Sequence, residues 1–196
     1  MKKVAVIGLG YVGLPLAALC AKQGYKTIGF EKRPEVVLKL TNGQCHIKDE
    51  VVESMLAEAL NSKNFIPTAD VKKIAECNVY LICVPTPIDA NNDPDLEPLK
   101  QSIYDIAPLV KKGDLIVVES TVFPGTCEQV VLPLIESISG LSHMDDFYLA
   151  HCPERVNPGD LYWNSSNIPR VVGALTSVGV QIAAEFYASI LGGEIY

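Results

Sequence analysis

Short, uninterrupted apolar segments alternate with segments of helical periodicity along most of this chain. Uninterrupted apolar runs are typical of strands buried on both faces of a parallel sheet, and the clearest lie at residues 4–7, 79–84 and 115–118. The pattern predicts strands at 4–7, 27–30, 65–68, 79–84, 115–118, 147–150, 170–172 and 194–196. It predicts helices after residue 12 and at 34–42, 49–61, 71–75, 99–110, 127–137 and 177–191. This alternation predicts an α/β fold with a doubly wound parallel sheet in a single domain.

The first predicted strand runs into three glycines with the spacing G-x-G-x-x-G, namely Gly8, Gly10 and Gly13. In such a turn the first glycine permits the tight bend, the second lets backbone approach a pyrophosphate, and the third lets helix and strand pack closely. Glu31 ends the second predicted strand, where a carboxylate accepts hydrogen bonds from the adenosine ribose. Strand, glycines, helix and acid together predict a Rossmann-type dinucleotide site; the alternative is a purely structural turn.

The acid also bears on the choice of cofactor. A carboxylate at Glu31 would repel the 2′-phosphate of NADP, so the sequence favours NAD. Lys32 and Arg33 follow at once, and either could meet such a phosphate or lie in a solvated loop. We predict NAD.

Polar motifs follow three more of the predicted strands. They are Pro85-Thr86-Pro87, Ser120-Thr121 and Pro153-Glu154-Arg155. Because the carboxyl ends of parallel strands lie at one edge of a sheet, we expect these motifs to converge on one crevice with the glycine turn.

Glu154 and Arg155 are the residues of this crevice best suited to chemistry. The glutamate is a candidate general base or water-positioning group, and the arginine could clamp a phosphate or a sugar. The alternative is a structural Glu–Arg pair. Thr121 could equally be a helix cap or a turn residue.

Composition excludes several classes of partner. The net charge is −7, from 16 basic and 23 acidic residues, without a basic cluster, so we expect neither nucleic acid nor an anionic membrane as a partner. The apolar runs are too short to cross a bilayer. Met1 leads directly into the first strand without the separate apolar region of a signal peptide, from which we expect a cytoplasmic location.

The six cysteines form no C-x-x-C pair, and with three histidines they suggest no metal site. Cys20 and Cys83 lie on apolar patterns and are expected in the core. Cys127 falls in the first turn of a predicted helix, whose dipole could lower its pKa. A catalytic Cys127 is the less favoured interpretation.

Five motifs in order resemble the UDP-glucose/GDP-mannose dehydrogenase family. They are GLGYVGLPLA from Gly8, VPTP from Val84, PDL from Pro94, ESTVFPGT from Glu119 and PERVNPGD from Pro153. Their order and spacing match the NAD-binding N-terminal domain of that family over essentially the whole chain. The last two motifs are more similar to the branch that oxidises UDP-N-acetylhexosamines, especially UDP-N-acetylmannosamine, than to the UDP-glucose branch.

The resemblance implies a two-step, four-electron oxidation of a sugar C6 hydroxyl to a carboxylate, with two NAD⁺ and no metal. It implies a UDP-sugar as substrate and a homodimer for the full-length enzyme. It assigns cofactor contacts to Tyr11, Val12, Glu31, Pro85, Thr86 and Thr121, catalytic roles to Glu154 and Thr121, and substrate contacts to Glu154, Arg155, Val156 and Asn157.

The chain departs from the family pattern in two ways. Val36 stands where family members commonly carry an arginine, a role that Arg33 could take over. The family's lysine, asparagine and thiolate nucleophile lie downstream of this domain. We therefore expect an N-terminal domain of a longer enzyme that is inactive alone. The alternatives are a stand-alone NAD-responsive module and a different small dehydrogenase of the 6-phosphogluconate or 3-hydroxyacid type.

Overall fold

Seven strands form one sheet in the order β3-β2-β1-β4-β5-β6-β7 in the computed structural model, which describes residues 3–155 and 162–196. The first six strands pair in parallel, and β7 is antiparallel to β6. The predicted doubly wound α/β fold is confirmed, with this short antiparallel edge added to it. The strands are β1 (Lys3–Ile7), β2 (Lys26–Phe30), β3 (Phe65–Thr68), β4 (Val79–Ile82), β5 (Leu115–Val118), β6 (Tyr148–His151) and β7 (Gly173–Ala174).

Two hydrophobic cores, one on each face, hold helices against the sheet. Along β1, Val4 and Val6 face the first core, while Ala5 and Ile7 face the second. Every residue of β4 and β5 is buried, which explains their uninterrupted apolar sequences. Helices α1 (Gly13–Lys22), α2 (Pro34–Thr41), α3 (Glu50–Asn61) and α6 (Ser177–Ile190) pack on the first core, and α4 (Glu97–Ile106) and α5 (Leu132–Ser139) on the second.

Local chemistry at the first turn explains where two of the helices begin. Asp49 accepts hydrogen bonds from the Val51 and Val52 N–H groups and caps α3. Helix α4 begins earlier than predicted because Pro98 fits its first turn. The predicted helix at 127–137 starts as a π-helical segment, Cys127–Val131, and the one at 71–75 is a 3₁₀ turn, Val71–Ile74.

The predictions that residues 170–172 and 194–196 form strands of the sheet are wrong. The structure has an isolated parallel bridge between Arg170 and Ile195, and the edge strand β7 follows three residues later. The Arg170 side chain is fully buried, and it points to carboxylates rather than packing as an apolar strand residue would. Among the described residues, no helix combines the length and apolar character needed to cross a membrane.

Candidate functional site

The three glycines of the first turn differ in what surrounds them. Gly8 has a φ of +89°, and a Cβ there would lie 2.8 Å from the Cys83 carbonyl oxygen. A Cβ on Gly13 would lie 1.9 Å from the Gly8 carbonyl oxygen. A Cβ on Gly10, in contrast, would meet nothing within 4 Å. Gly8 and Gly13 are therefore required by the fold itself, while Gly10 borders open space of the kind that a pyrophosphate needs.

The start of α1 borders the same open space. No side chain caps this helix and its first turn carries no acid, so its positive end is not neutralised by the protein's own side chains. The Leu14 N–H closes the first turn on the Gly10 carbonyl at 3.0 Å. Tyr11 is 60% exposed beside Val12, the N-cap residue. This helix end fits a dinucleotide pyrophosphate.

Glu31 lies at the end of β2, where it is buried and hydrogen-bonded. Its carboxylate accepts hydrogen bonds from the Leu9 N–H at 3.2 Å and from the Arg33 side chain at 2.9 and 3.1 Å. Burial alone would raise the pKa of Glu31, but the hydrogen bonds from Arg33 and Leu9 outweigh it and lower the pKa. An ionised acid therefore borders the glycine turn, as binding to a ribose requires. The exposed Arg33 is beside it, and Lys32 pairs instead with Asp105 at 2.8 Å.

The strand-end motifs meet in a crevice of about 200 Å³ beside the start of α1. The Thr86 hydroxyl donates a hydrogen bond to the Thr121 carbonyl at 2.8 Å, and the Ser120 hydroxyl donates to the Val84 carbonyl at 2.6 Å. These bonds join the loops after β4 and β5, so Thr121 is a loop residue and not a helix cap. Residues of all three strand-end motifs meet here beside Val12 of the glycine turn, as predicted, whereas the three glycines and Arg155 are not among the lining residues. The crevice is lined by Val12, Cys83, Val84, Pro85, Thr86, Glu119, Ser120, Thr121 and Glu154.

Glu154 reaches this crevice from the loop after β6. One carboxylate oxygen accepts a hydrogen bond from the Arg155 N–H at 2.7 Å, and the other accepts one from the Arg170 guanidinium at 2.7 Å. A Glu–Arg pair therefore exists here, but its arginine comes from sixteen residues later in the chain. Arg155 is exposed, and the predicted substrate residues Val156 and Asn157 lie outside the described residues.

Sequence reasoning missed a buried group behind Glu154. Glu119 is fully buried at the end of β5; it accepts a hydrogen bond from the Tyr187 hydroxyl and one from Arg170 at 3.3 Å. Burial raises the pKa of Glu119 to about 7, despite the opposing effects of Arg170 and Tyr187. The carboxylates of Glu119 and Glu154 raise the pKa of Arg170 although its burial opposes the charge. The sequence signals for Glu119 were its position directly after a buried strand and its place at the start of the ESTVFPGT motif.

The expectation that a helix dipole lowers the pKa of Cys127 is wrong. Burial raises that pKa to about 11, with a smaller contribution from Glu128, and the residue begins a π-helical segment. Cys20 and Cys83 are buried in the core, as predicted. Across residues 3–155 and 162–196, no three His, Cys, Asp or Glu side chains lie close enough to hold a metal ion.

Comparisons with known proteins agree with this geometry. A family model described as "UDP-glucose/GDP-mannose dehydrogenase family, NAD binding domain" matches residues 2–191. The chain is 37% identical over 194 residues to UDP-N-acetyl-D-mannosamine dehydrogenase of Pyrococcus horikoshii, covering 99% of this chain and 46% of the relative. It is 38% identical over 194 residues to UDP-N-acetyl-D-glucosamine 6-dehydrogenase of Salmonella typhi, covering 99% and 44%.

Solved structures give the same result. The structure of UDP-D-ManNAc dehydrogenase from Pyrococcus horikoshii superposes with a TM-score of 0.94 at 36% identity, over 100% of this chain and 46% of that one. A ternary complex of GDP-mannose dehydrogenase from Pseudomonas aeruginosa gives a TM-score of 0.91 at 28% identity, over 99% and 45%. The chain thus spans about half the length of the curated relatives it matches.

Proposed function

This chain belongs to the UDP-glucose/GDP-mannose dehydrogenase family, and from that membership we propose that it is the NAD-binding domain of a nucleotide-sugar 6-dehydrogenase. The matched family domain is an NAD binding domain, so the family resemblance and the predicted cofactor are both confirmed. The proposed substrate is a UDP-N-acetylhexosamine, with UDP-N-acetylmannosamine favoured, because the relatives described above act on UDP-N-acetylmannosamine and UDP-N-acetylglucosamine by their names. UDP-glucose is the alternative substrate.

The crevice between the glycine turn and Glu154 carries this proposal. Glu154 lines it from the loop after β6, and the uncapped start of α1 and the ionised acid at the end of β2 lie beside it along the carboxyl edge of the sheet. NAD⁺ bound along this edge would supply the hydride acceptor at the end of the crevice that Glu154 lines. A hydride acceptor next to a carboxylate that can take a proton is the arrangement that oxidation of an alcohol requires.

The proposed reaction converts the C6 CH₂OH group to a carboxylate in two oxidations. Each oxidation removes a hydride to one NAD⁺ and releases a proton, and one water supplies the second carboxylate oxygen. The balance is one alcohol, two NAD⁺ and one water giving one carboxylate, two NADH and three protons. The proton and water steps need a base close to C6.

Glu154 is the proposed base or water-positioning residue. Its side chain is 11% exposed, so it is sheltered without being sealed from the crevice. Thr121 and Thr86 line the same crevice. We propose that both contact the cofactor and that Thr121 assists catalysis. Arg155, with Val156 and Asn157 beyond the described residues, is proposed to contact the sugar nucleotide.

At the adenosine end, the cofactor contacts are proposed to come from the glycine turn and the end of β2. Glu31 would bind the ribose hydroxyls, and Arg33 would take the place of the arginine that the family carries at position 36. Val36 is buried in the first core and cannot serve as a polar contact. The remaining proposed contacts are Gly8, Gly10, Tyr11, Val12, Gly13 and Pro85.

The relatives are about twice as long as this chain, so we propose that turnover needs a further segment carrying the family's nucleophile, and that these 196 residues alone bind NAD without turnover. A homodimer of the full-length enzyme and a cytoplasmic location stay predictions.

Calorimetric titration of this chain with NAD⁺ and NADP⁺ tests the cofactor site, and assays of the full-length protein with three UDP-sugars test the substrate. We expect NAD⁺ to bind at least tenfold more tightly than NADP⁺, and UDP-N-acetylmannosamine to be oxidised faster than UDP-N-acetylglucosamine or UDP-glucose. If the full-length protein binds NAD⁺ but oxidises no UDP-sugar, the proposed dehydrogenase activity is contradicted and an NAD-responsive module is favoured. Turnover by the 196 residues alone would contradict the need for a further segment.

A further inference from the structure

One buried guanidinium lies between two carboxylates at the floor of the crevice. Arg170 has no exposed surface; its NH1 atom lies 3.3 Å from Glu119 Oε2 and its NH2 atom lies 2.7 Å from Glu154 Oε2. The two carboxylates come from the ends of neighbouring strands β5 and β6, and the arginine comes from a segment at the edge of the sheet. A single side chain therefore joins three separate parts of the fold at the site.

The group contains one cation and two carboxyl groups, so its positive and negative charges do not balance if both carboxyl groups are ionised. It lies away from water, where an unbalanced negative charge is costly. Glu119 is the more deeply buried of the two carboxyl groups. Because its pKa is raised to about 7, a large fraction of the protein molecules carry a protonated Glu119 near neutral pH. Arg170 stays charged, and Glu154 is a carboxylate that lines the crevice.

The backbone around this group is firmly held. The Arg170 N–H donates to the Glu194 carbonyl at 2.9 Å, and the Arg170 carbonyl accepts from the Tyr196 N–H at 2.9 Å. The Tyr187 hydroxyl, from α6, donates to the other oxygen of Glu119. Arg170 is thus fixed at both its backbone and its side chain, whereas Glu154 lies on a loop and depends on its contacts for its position.

The arrangement is a poor choice for stability alone. Arg170 divides its NH1 and NH2 groups between two carboxylates, and its Nε atom has no hydrogen-bond partner among the described residues. A bidentate pair with one carboxylate would be stronger, and apolar packing of the same volume is often more stable than a buried ion pair. Dividing the guanidinium does achieve one thing, which is to fix the direction of the Glu154 carboxylate.

We propose that Arg170 is a positioning residue: it binds Glu154 from behind, with Glu119 as its anchor, and fixes the carboxylate that handles protons and water at the sugar C6. This inference rests on the proposed function, in which Glu154 does that chemistry. Arg170 itself is buried behind Glu154 and acts through it. Glu119 acts one step further back, by holding Arg170.

The charged and titratable groups facing Glu119 come from five elements of the fold. Burial raises the pKa of the nearby Cys152 thiol to about 12, and it also raises those of Cys20 and Cys83, so the thiols are neutral at working pH. Burial raises the pKa of Glu119 to about 7, so the charge of this carboxyl group changes near neutral pH. Within residues 3–155 and 162–196, these groups are Arg170, Glu154, Tyr187, Cys20, Cys83 and Cys152.

A double-mutant cycle in the full-length enzyme tests the proposal. Turnover numbers and KM values for NAD⁺ and the UDP-sugar are measured for wild type, Glu154→Gln, Arg170→Lys and the double variant. We expect Arg170→Lys to lower kcat at least tenfold with KM for NAD⁺ within about twofold, because lysine keeps the charge but cannot contact both carboxylates in the same geometry. We expect the double variant to be no more than about threefold slower than Glu154→Gln, because both changes remove the same interaction.

Losses that multiply in the double variant, or a wild-type kcat for Arg170→Lys, would overturn the positioning role. Lys112→Met is the control, since it breaks an exposed ion pair with Asp146, and its kcat should equal that of wild type. If Arg170→Lys does not fold, Glu119→Gln decides through the pH profile of kcat, from which the titration near pH 7 should disappear; an unchanged profile counts against the proposal. Wild-type enzyme that oxidises no UDP-sugar would instead overturn the proposed function, and the positioning role with it.

Discussion

The site has two ends along the carboxyl edge of the sheet, and each holds a buried carboxylate: Glu31 after β2 and Glu119 after β5. The surroundings of the two carboxylates act in opposite ways. Glu31 is 7% exposed and Glu119 is fully buried, so burial raises the pKa of both. At Glu31, hydrogen bonds from Arg33 and Leu9 reverse the effect, and its pKa falls below the ordinary value. At Glu119, one arginine shared with Glu154 does not suffice, and its pKa rises to about 7. Similar burial therefore produces opposite charge preferences.

The difference lies in where the partners come from. Arg33 is two residues from Glu31 and its side chain is 55% exposed, so the pair is local and partly solvated. Arg170 and Tyr187 are 51 and 68 residues from Glu119, and both are buried. A local, solvated pair keeps its acid ionised and available to a ligand at little cost in folding. A distant, buried pair makes the acid part of the core, so its charge and the stability of the fold depend on each other.

The largest expected effect is on the free energy of unfolding, when the same substitution to methionine is made at Arg170 and at Arg33. Arg170→Met leaves two buried carboxyl groups without their cation and should lower the free energy of unfolding by about 3–5 kcal/mol. Arg33→Met breaks a pair whose arginine is mostly solvated and should cost less than about 1 kcal/mol. Urea unfolding of both variants and wild type measures the two values. Equal losses would show that the two ends do not differ as described.

A second prediction concerns pH. The pKa of Glu119 is about 7 in the folded protein and about 4.5 when unfolded, so stability from this group is fully present below pH 4.5 and is lost as pH rises through 7. Because one pH unit corresponds to about 1.4 kcal/mol, the loss is about 3 kcal/mol at most. Glu119→Gln should remove this dependence. Unfolding free energies of both proteins at pH 5 and pH 8 measure it, and the same slope in both would contradict the buried titration.

The pKa shift of Glu31 has the opposite sign to that of Glu119, so Glu31 is the control for the pH prediction. Its folded pKa is lowered, so its contribution is present above the unfolded value of about 4.5 and is lost as pH falls through the folded pKa. Glu31→Gln should therefore reduce the loss of stability in acid and leave the slope between pH 5 and pH 8 unchanged. A change of that slope would mean that Glu31 is not ionised throughout the range.

The same contrast explains which parts of the molecule could be predicted from the sequence. Gly8, Gly10, Gly13 and Glu31 lie within one strand-helix-strand unit, where spacing alone fixes geometry, so the sequence indicates the cofactor end. The convergence of the strand-end loops was predictable because parallel topology fixes it. Arg170 was not predictable, because it lies in a short, mostly apolar stretch and its partners depend on how the sheet edge packs.

The smallest expected effect is on cofactor affinity, and it should again separate the two ends. Glu31→Ala should weaken NAD⁺ binding at least several-fold, or about 1 kcal/mol, because the ribose hydroxyls lose their acceptor while the helix end still holds the pyrophosphate. Glu119→Gln should leave the Kd within about twofold, since Glu119 lies in the wall of the crevice with no exposed surface and glutamine keeps its size. Calorimetric titration of both variants gives these values. An unchanged Kd for Glu31→Ala would overturn the ribose assignment, and a weakened Kd for Glu119→Gln would mean that the buried carboxylate shapes the cofactor site as well as Glu154.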